Sequence, residues 1–108
     1  MVEYQVEIYQ DHRGREPFSN WVNSLGDRRG QAAIDNRLRR IALGNLGDYA
    51  SVGGGVFELR VDTGPGYRVY FGRVGKILIL LLCGGDKSTQ RMDIERAKAC
   101  WADYQEET

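Results

Sequence analysis

Histidine and cysteine are scarce in this chain of 108 residues. Its one histidine is His12, and its two cysteines are Cys83 and Cys100. A catalytic triad or a histidine–cysteine metal site needs more of these side chains than the chain holds. The sequence therefore excludes those chemistries, and we expect His12, which lies in a polar turn, to be a surface residue.

Long apolar runs are also missing. The run at residues 77–83 is far shorter than the roughly 20 residues that a membrane-spanning helix requires. The sequence shows no signal-peptide pattern, and two cysteines are too few for a disulfide-rich secreted domain. We therefore expect a cytoplasmic protein with free thiols and no membrane partner.

Length and charge set further limits. A chain of this size builds one domain, so we expect residues 1–108 to form a single unit. The formal net charge is zero, yet residues 28–47 and 60–91 are each net basic, while both ends of the chain are net acidic. For binding of an anionic ligand, the local positive charge of these two segments matters more than the net charge of the chain.

Three strands are predicted in the second half of the chain. Residues 57–62 alternate apolar and charged side chains, which is the period of a half-buried strand. Residues 67–71 alternate in the same way, after a turn at residues 63–66 that contains two glycines and a proline. Residues 77–82 are apolar without a break, which is typical of a central strand covered on both faces.

A further strand and three helices complete the predicted order. Residues 2–9 alternate and predict a strand near an edge of the sheet. Apolar residues at helical spacing begin at Phe18, Ile34 and Ile94 and predict three helices. The glycine-rich residues 44–55 are interpreted as a connector. The predicted fold is α+β with the order β-α-α-β-β-β-α, a largely antiparallel four-stranded sheet, and a two-helix hairpin packed on one face.

Cationic side chains fall on polar positions of the predicted strands. Arg60, Arg68 and Tyr70 would share one face if their strands are neighbours, and Lys87 follows the end of the buried strand. Such a face would be a cationic patch with an aromatic ring, held on rigid strands. A solvated sheet face with ordinary surface charge has the same pattern, so both interpretations stay open.

Several short motifs occur in a fixed order along nearly the whole chain. They are Phe18-x-x-Trp21, Gly44-Asn45-x-Gly47-Asp48, Glu58-Leu-Arg60, Gly64-Pro-Gly-Tyr-Arg68, and Gly84-Gly-Asp-Lys-Ser-Thr-Gln90 with Asp93-Ile94. With these motifs the chain resembles the RelE/ParE superfamily of toxins from bacterial toxin–antitoxin pairs. Within it, the chain is most similar to the addiction-module killer proteins, akin to HigB and RelE. The resemblance implies a RelE-like fold.

The resemblance also implies a function. Members are small endoribonucleases, or mRNA interferases, that cut messenger RNA, usually on the ribosome, and use no metal or other cofactor. The 2′-hydroxyl of the RNA attacks the adjacent phosphate, which needs a base, cations for the phosphorane charge and an acid for the leaving oxygen. The implied partners are mRNA, the ribosome and an antitoxin encoded by a neighbouring gene. We expect the antitoxin to mask the basic sheet face or to displace the C-terminal helix.

The family motifs assign candidate catalytic roles. By resemblance, Arg68 matches the phosphate-stabilising arginine, Arg60 a second basic position, and Lys87 the basic residue after the last strand. Glu58 stands where RelE has a catalytic lysine. It is either the base itself or the residue that holds Arg60 in place.

The remaining candidates have alternative explanations. Gln90 belongs with Asp93 to the signature of this branch and is a further catalytic candidate, but residues of these types also cap helix ends. Tyr67 or Tyr70 would stack on an RNA base, and Arg91 is a further RNA-binding candidate.

Two other functions stay open. A ParE-type toxin would inhibit DNA gyrase by binding, without ribonuclease chemistry. A toxin-like domain that has lost activity would persist as a binding module. The retained set of Arg60, Arg68 and Lys87 favours the ribonuclease.

Overall fold

Five strands and three α-helices form the computed structural model, which describes residues 3–107. The strands are β1 Gln5–Ile8, β2 Tyr49–Gly53, β3 Val56–Val61, β4 Tyr67–Val74 and β5 Leu78–Asp86. The helices are α1 Pro17–Asn23, α2 Arg28–Ala42 and α3 Gln90–Glu107, and a 3-10 turn, Lys87–Thr89, leads into α3. The α+β class is as predicted; Val2, at the start of the predicted first strand, lies outside the described residues.

The strands form one mixed sheet in the order β1-β5-β4-β3-β2. The pairs β2–β3, β3–β4 and β4–β5 are antiparallel. At the opposite edge from β2, β1 pairs parallel with β5. The prediction of four strands is wrong in number, because β2 lies inside the segment that the sequence indicates as a connector. Five residues within a glycine-rich segment have the composition of a loop, and their pairing with β3 is a tertiary effect.

α1 and α2 pack on one face of the sheet. Phe18, Ile34 and Ile41 bury their side chains there against strand residues such as Val69 and Phe71. The predicted helical hairpin differs in detail, since α1 has only seven residues and packs on β5, while α2 contacts β1 and β3.

α3 packs on the other face. Ala97 and Trp101 bury their side chains against Val56, Leu80 and Leu82. The helix starts beside the end of β5 and continues toward the β2–β3 turn, where Trp101 lies against the backbone. Among residues 3–107, no helix is long and apolar enough to cross a bilayer.

Candidate functional site

β3 and β4 place two arginines opposite each other on the face that α3 covers. In the register of these strands Arg60 pairs with Arg68, and Glu58 pairs with Tyr70. All four side chains therefore lie on one face, which confirms the prediction that Arg60, Arg68 and Tyr70 share a face. Like charges directly opposite each other repel, so this arrangement needs an anion nearby.

Glu58 supplies that anion. Its side chain is 2% exposed, and its Oε1 lies 3.2 Å from Arg60 Nε and 3.7 Å from Arg68 Nε. Its Oε2 accepts hydrogen bonds from the Tyr70 hydroxyl at 3.2 Å and from the Gln90 amide at 2.7 Å. We call these five residues the Glu58 cluster. Of the two roles predicted for Glu58, these contacts are the ones expected of a residue that holds Arg60 in place.

Arg68 is more enclosed than Arg60. Its side chain is 11% exposed, against 42% for Arg60. Its Nη1 donates to the carbonyl of Tyr67 at 3.4 Å, but its buried Nε has no acceptor within hydrogen-bond distance among residues 3–107. Leaving a buried donor unsatisfied costs about 1–3 kcal/mol. The carboxylate of Glu58, 3.7 Å away, offsets part of that cost as an ion pair.

Arg60 is also positioned by two residues that are not among the predicted site residues. Its Nη1 lies 3.5 Å from Asp48 Oδ1. Arg37 of α2 donates to the carbonyls of Leu46 at 3.1 Å, of Asp48 at 3.3 Å and of Arg60 itself. Arg37 thereby joins the loop before β2 to β3. Asp48 was within reach of sequence reasoning, since it belongs to a family motif, but charge alone does not separate Arg37 from its arginine neighbours.

An open groove of about 420 Å³ runs beside the Glu58 cluster, along the start of α3. We call it the α3 groove; it is lined by Lys87, Ser88, Gln90, Arg91 and Ile94. Gln90 belongs to both the groove and the cluster, so the two are continuous. Lys87 and Arg91 are exposed, and neither forms an ion pair within the described part of the chain.

Lys87 and Asp93 are held by different contacts where α3 begins. The stem of Lys87 runs along the β3–β4 turn, where a Cβ added to Gly66 would lie 3.0 Å from Lys87 Cε. Asp93 is buried over Gly85 and accepts a hydrogen bond from Thr89 Oγ1 at 2.5 Å in the first turn of α3. A carboxylate at that position stabilises the helix start, which is the capping role considered above.

The two tyrosines predicted to stack on RNA are core residues. Tyr67 is 4% exposed and Tyr70 is fully buried, so neither ring presents a face to a base. The Tyr67 hydroxyl donates to Asp27 at 2.6 Å, which raises the pKa of Tyr67 to about 12. Burial and the charge of Glu58 raise the pKa of Tyr70 well above its ordinary value. The stacking prediction is therefore wrong, because helices cover both faces of the sheet at these positions.

Comparisons with known proteins give the family but no activity. No family model matches the chain. An uncharacterized protein of Haemophilus influenzae is 51% identical over 81 residues, a segment that covers 75% of this chain and 82% of that protein. Identity at this level over most of both sequences means common descent and a common fold. The chain therefore belongs to the same family as this H. influenzae protein.

Proposed function

We propose that the chain is a RelE/ParE-type toxin, a metal-independent endoribonuclease that cleaves mRNA on the ribosome. The observation that carries the proposal is the pair of facing guanidinium groups of Arg60 and Arg68, held by the buried carboxylate of Glu58. Planar guanidinium groups match the oxygens of a phosphate, and a rigid sheet fixes their spacing. Together with the sequence motifs, this arrangement fits binding of a scissile phosphodiester.

Arg68 is the main stabiliser of the transition state in this proposal. The 2′-hydroxyl attacks the adjacent phosphate and gives its proton to water, which creates a phosphorane with extra negative charge that collapses as the bond to the 5′-oxygen breaks. The Arg68 guanidinium, held beside Glu58 and 11% exposed, is a preorganised cation, and the more exposed Arg60 adds a second cation. Removing one preorganised donor of this kind lowers a rate by about 10²–10³-fold.

The α3 groove continues this site toward solvent. Lys87 and Arg91 line it and would bind the RNA backbone on one side of the scissile phosphate. The Lys87 ammonium has protons to give to the leaving 5′-oxygen. Glu58 acts as a positioning residue, because its oxygens already accept from or pair with four donors.

A second candidate function is binding without chemistry, as in a gyrase-directed ParE toxin or an inactive toxin-like module. The observation that favours it is that the carboxylates near the arginines already have hydrogen-bond or ion-pair partners. Within residues 3–107, Glu58 is surrounded by donors, Asp48 pairs with Arg60, and Asp93 accepts from Thr89. A ribonuclease needs a base for the 2′-hydroxyl, and each of these carboxylates has a structural partner.

The test is to induce the chain alone in bacteria and to map RNA 5′ ends with and without an inhibitor of translation. Arg68→Ala removes the proposed phosphate-binding cation. Arg39→Ala is the matched control, since Arg39 is an exposed arginine of α2 whose ion-pair partner within residues 3–107 is Asp35. Cuts that require translation, persist in Arg39→Ala and disappear in Arg68→Ala would support the proposal.

Other outcomes would point elsewhere. DNA damage without new RNA ends would indicate gyrase, and folded protein with no effect on growth or RNA would indicate an inactive binding module. Circular dichroism of both variants separates loss of activity from loss of fold.

The antitoxin is proposed to act on the same site. Gln90, the first residue of α3, donates to Glu58, so displacing α3 would take a donor away from the cluster. Masking of the Arg60–Arg68 face would block phosphate entry directly. A complex with a neighbouring gene product that left both the face and α3 untouched would contradict this expectation.

A further inference from the structure

A second groove, of about 550 Å³, lies apart from the Glu58 cluster. It is formed by the β1–α1 loop, α1 and the middle of α3, and we call it the α1 groove. Its side chains include those of Asp11, Arg15, Asn20, Trp21 and Arg96. It shares no lining residue with the α3 groove, and no residue of the Glu58 cluster lines it.

Trp21 gives this groove a fixed aromatic wall. Its ring contacts Phe18 and Tyr67, each with a centroid separation of 6.0 Å. It also lies on the backbone of β5, since a Cβ added to Gly84 would be 2.3 Å from Trp21 Cε3. The indole is only half-buried. A ring that is already immobilised loses little conformational entropy when a planar group stacks on it.

Two guanidinium groups supply positive charge to the same groove. Arg96 is exposed, and its side chain makes no ion pair or hydrogen bond with another described residue. Arg15 contacts Asp11 through Nε at 3.0 Å, which leaves its two terminal nitrogens for another acceptor. Asp11 also accepts from the backbone N–H groups of Arg13 and Arg15, each at 2.9 Å, so the loop that carries Arg15 is ordered.

We propose that the α1 groove binds a nucleotide unit, with its base against Trp21 and its phosphate between Arg15 and Arg96. Guanidinium forks suit phosphate oxygens, and an indole suits the face of a base. The exposed amide of Asn20 offers a donor and an acceptor for the edge of the base. The volume is in the range of small-ligand sites. The proposal does not rest on the ribonuclease function.

Calorimetry on the purified full chain tests this with AMP and GMP as probes. Adenosine lacks the phosphate and ribose 5-phosphate lacks the base, so each should bind at least about tenfold more weakly than AMP. Arg96→Ala should weaken AMP binding by at least about tenfold. Arg40→Ala, which removes an exposed arginine of α2 outside this groove, should leave it unchanged. On binding, the NMR signal of the Trp21 indole N–H should shift, and that of Trp101 should not.

A short single-stranded RNA distinguishes the source of the nucleotide. If the RNA binds at least as tightly as AMP and Arg96→Ala weakens both, the groove takes a nucleotide unit within a strand. If AMP binds and the RNA does not, the ligand is a free nucleotide. Absence of binding by every probe, equal binding by Arg96→Ala, or NMR shifts confined to the α3 groove would overturn the proposal. Because binding is measured without RNA cleavage, this proposal and the ribonuclease proposal can fail independently.

Discussion

The two faces of the sheet differ in what their helices bury. Under α1 and α2 the buried core is a hydrophobic cluster that includes Leu59, Val69 and Phe71. Under α3 the buried residues include two carboxylates, Glu58 and Asp93, beside apolar residues such as Leu82. A charge is kept inside a protein only where partners compensate it. The first face therefore contributes stability, and the second also fixes the chemical groups of the candidate site.

On both faces a tryptophan of the covering helix packs against a strand glycine. Trp21 of α1 lies on Gly84, and Trp101 of α3 lies on Gly72; in each case an added Cβ would be 2.3 Å from a ring carbon. The difference between the faces is thus not how closely a helix approaches the strands. The faces differ in the polar residues near the end of β3 and the start of β4, beside the first turn of α3.

The largest expected effect is on the first face. Phe71→Ala removes a fully buried ring and should lower the free energy of unfolding by about 3–5 kcal/mol. On the second face, Arg60→Ala should cost less than about 1 kcal/mol, because Arg60 is 42% exposed and its ion pairs are screened by solvent. Urea unfolding measures both values. An Arg60→Ala variant less stable than Phe71→Ala would contradict the proposal that the first face contributes more stability than the arginines of the second.

The two glycines under the tryptophans are a matched pair. Gly72→Ala and Gly84→Ala should each destabilise the chain by about 1–3 kcal/mol, because the new methyl group collides with a ring that neighbours hold in place. Trp101→Leu should offset part of the cost of Gly72→Ala but none of the cost of Gly84→Ala, as the two contacts lie on opposite faces. Thermal unfolding of the single and double variants checks this, and rescue of both glycine variants would contradict it.

Period-two alternation predicts the face shared by Arg60, Arg68 and Tyr70 once β3 and β4 are assumed to be neighbours, and their pairing meets that condition. The period of two is a local property of the backbone, whereas the pairing of the two strands is not. Coverage of that face is a tertiary property. The sequence therefore placed Tyr70 on the correct face, yet it did not show that α3 and Glu58 enclose its ring.

The sequence pattern does not predict how the two edge strands pair, for a related reason. β2 is short and lies in a glycine-rich segment, and it is a strand because β3 offers it a partner. β1 was predicted as a strand, but its parallel alignment with β5 depends on chain crossing, which alternation does not encode. The role of Arg37 is equally hidden from the sequence pattern, since its three carbonyl partners lie outside α2, 9, 11 and 23 residues away.

Glu58→Gln tests whether the buried negative charge stabilises the second face. The amide keeps the size of the side chain but removes the charge that lies between Arg60 and Arg68, so we expect a loss of about 1–2 kcal/mol in unfolding free energy. Asp48→Asn is the control, because Asp48 is an exposed partner of Arg60 and should cost about 0–1 kcal/mol. Urea unfolding of both variants gives the comparison. Equal stability of the two variants would mean that burial of Glu58 has no energetic role.

The smallest effect tests a polar contact at the rim of the first face. Asp27 caps α2 and accepts the Tyr67 hydroxyl, and this hydrogen bond, together with the N–H of Gly30, lowers the pKa of the Asp27 carboxyl. Because the folded-state pKa lies below the unfolded one, the stabilisation is present above about pH 4 and is lost as the pH falls through the folded-state value. The difference in Tm between wild type and Asp27→Asn should therefore narrow below about pH 4. Tyr67→Phe removes the main cause of the lowered pKa, so in that background the narrowing should be smaller and should be complete at a higher pH. A difference in Tm that stayed constant down to about pH 2 would show that this contact does not couple α2 to β4.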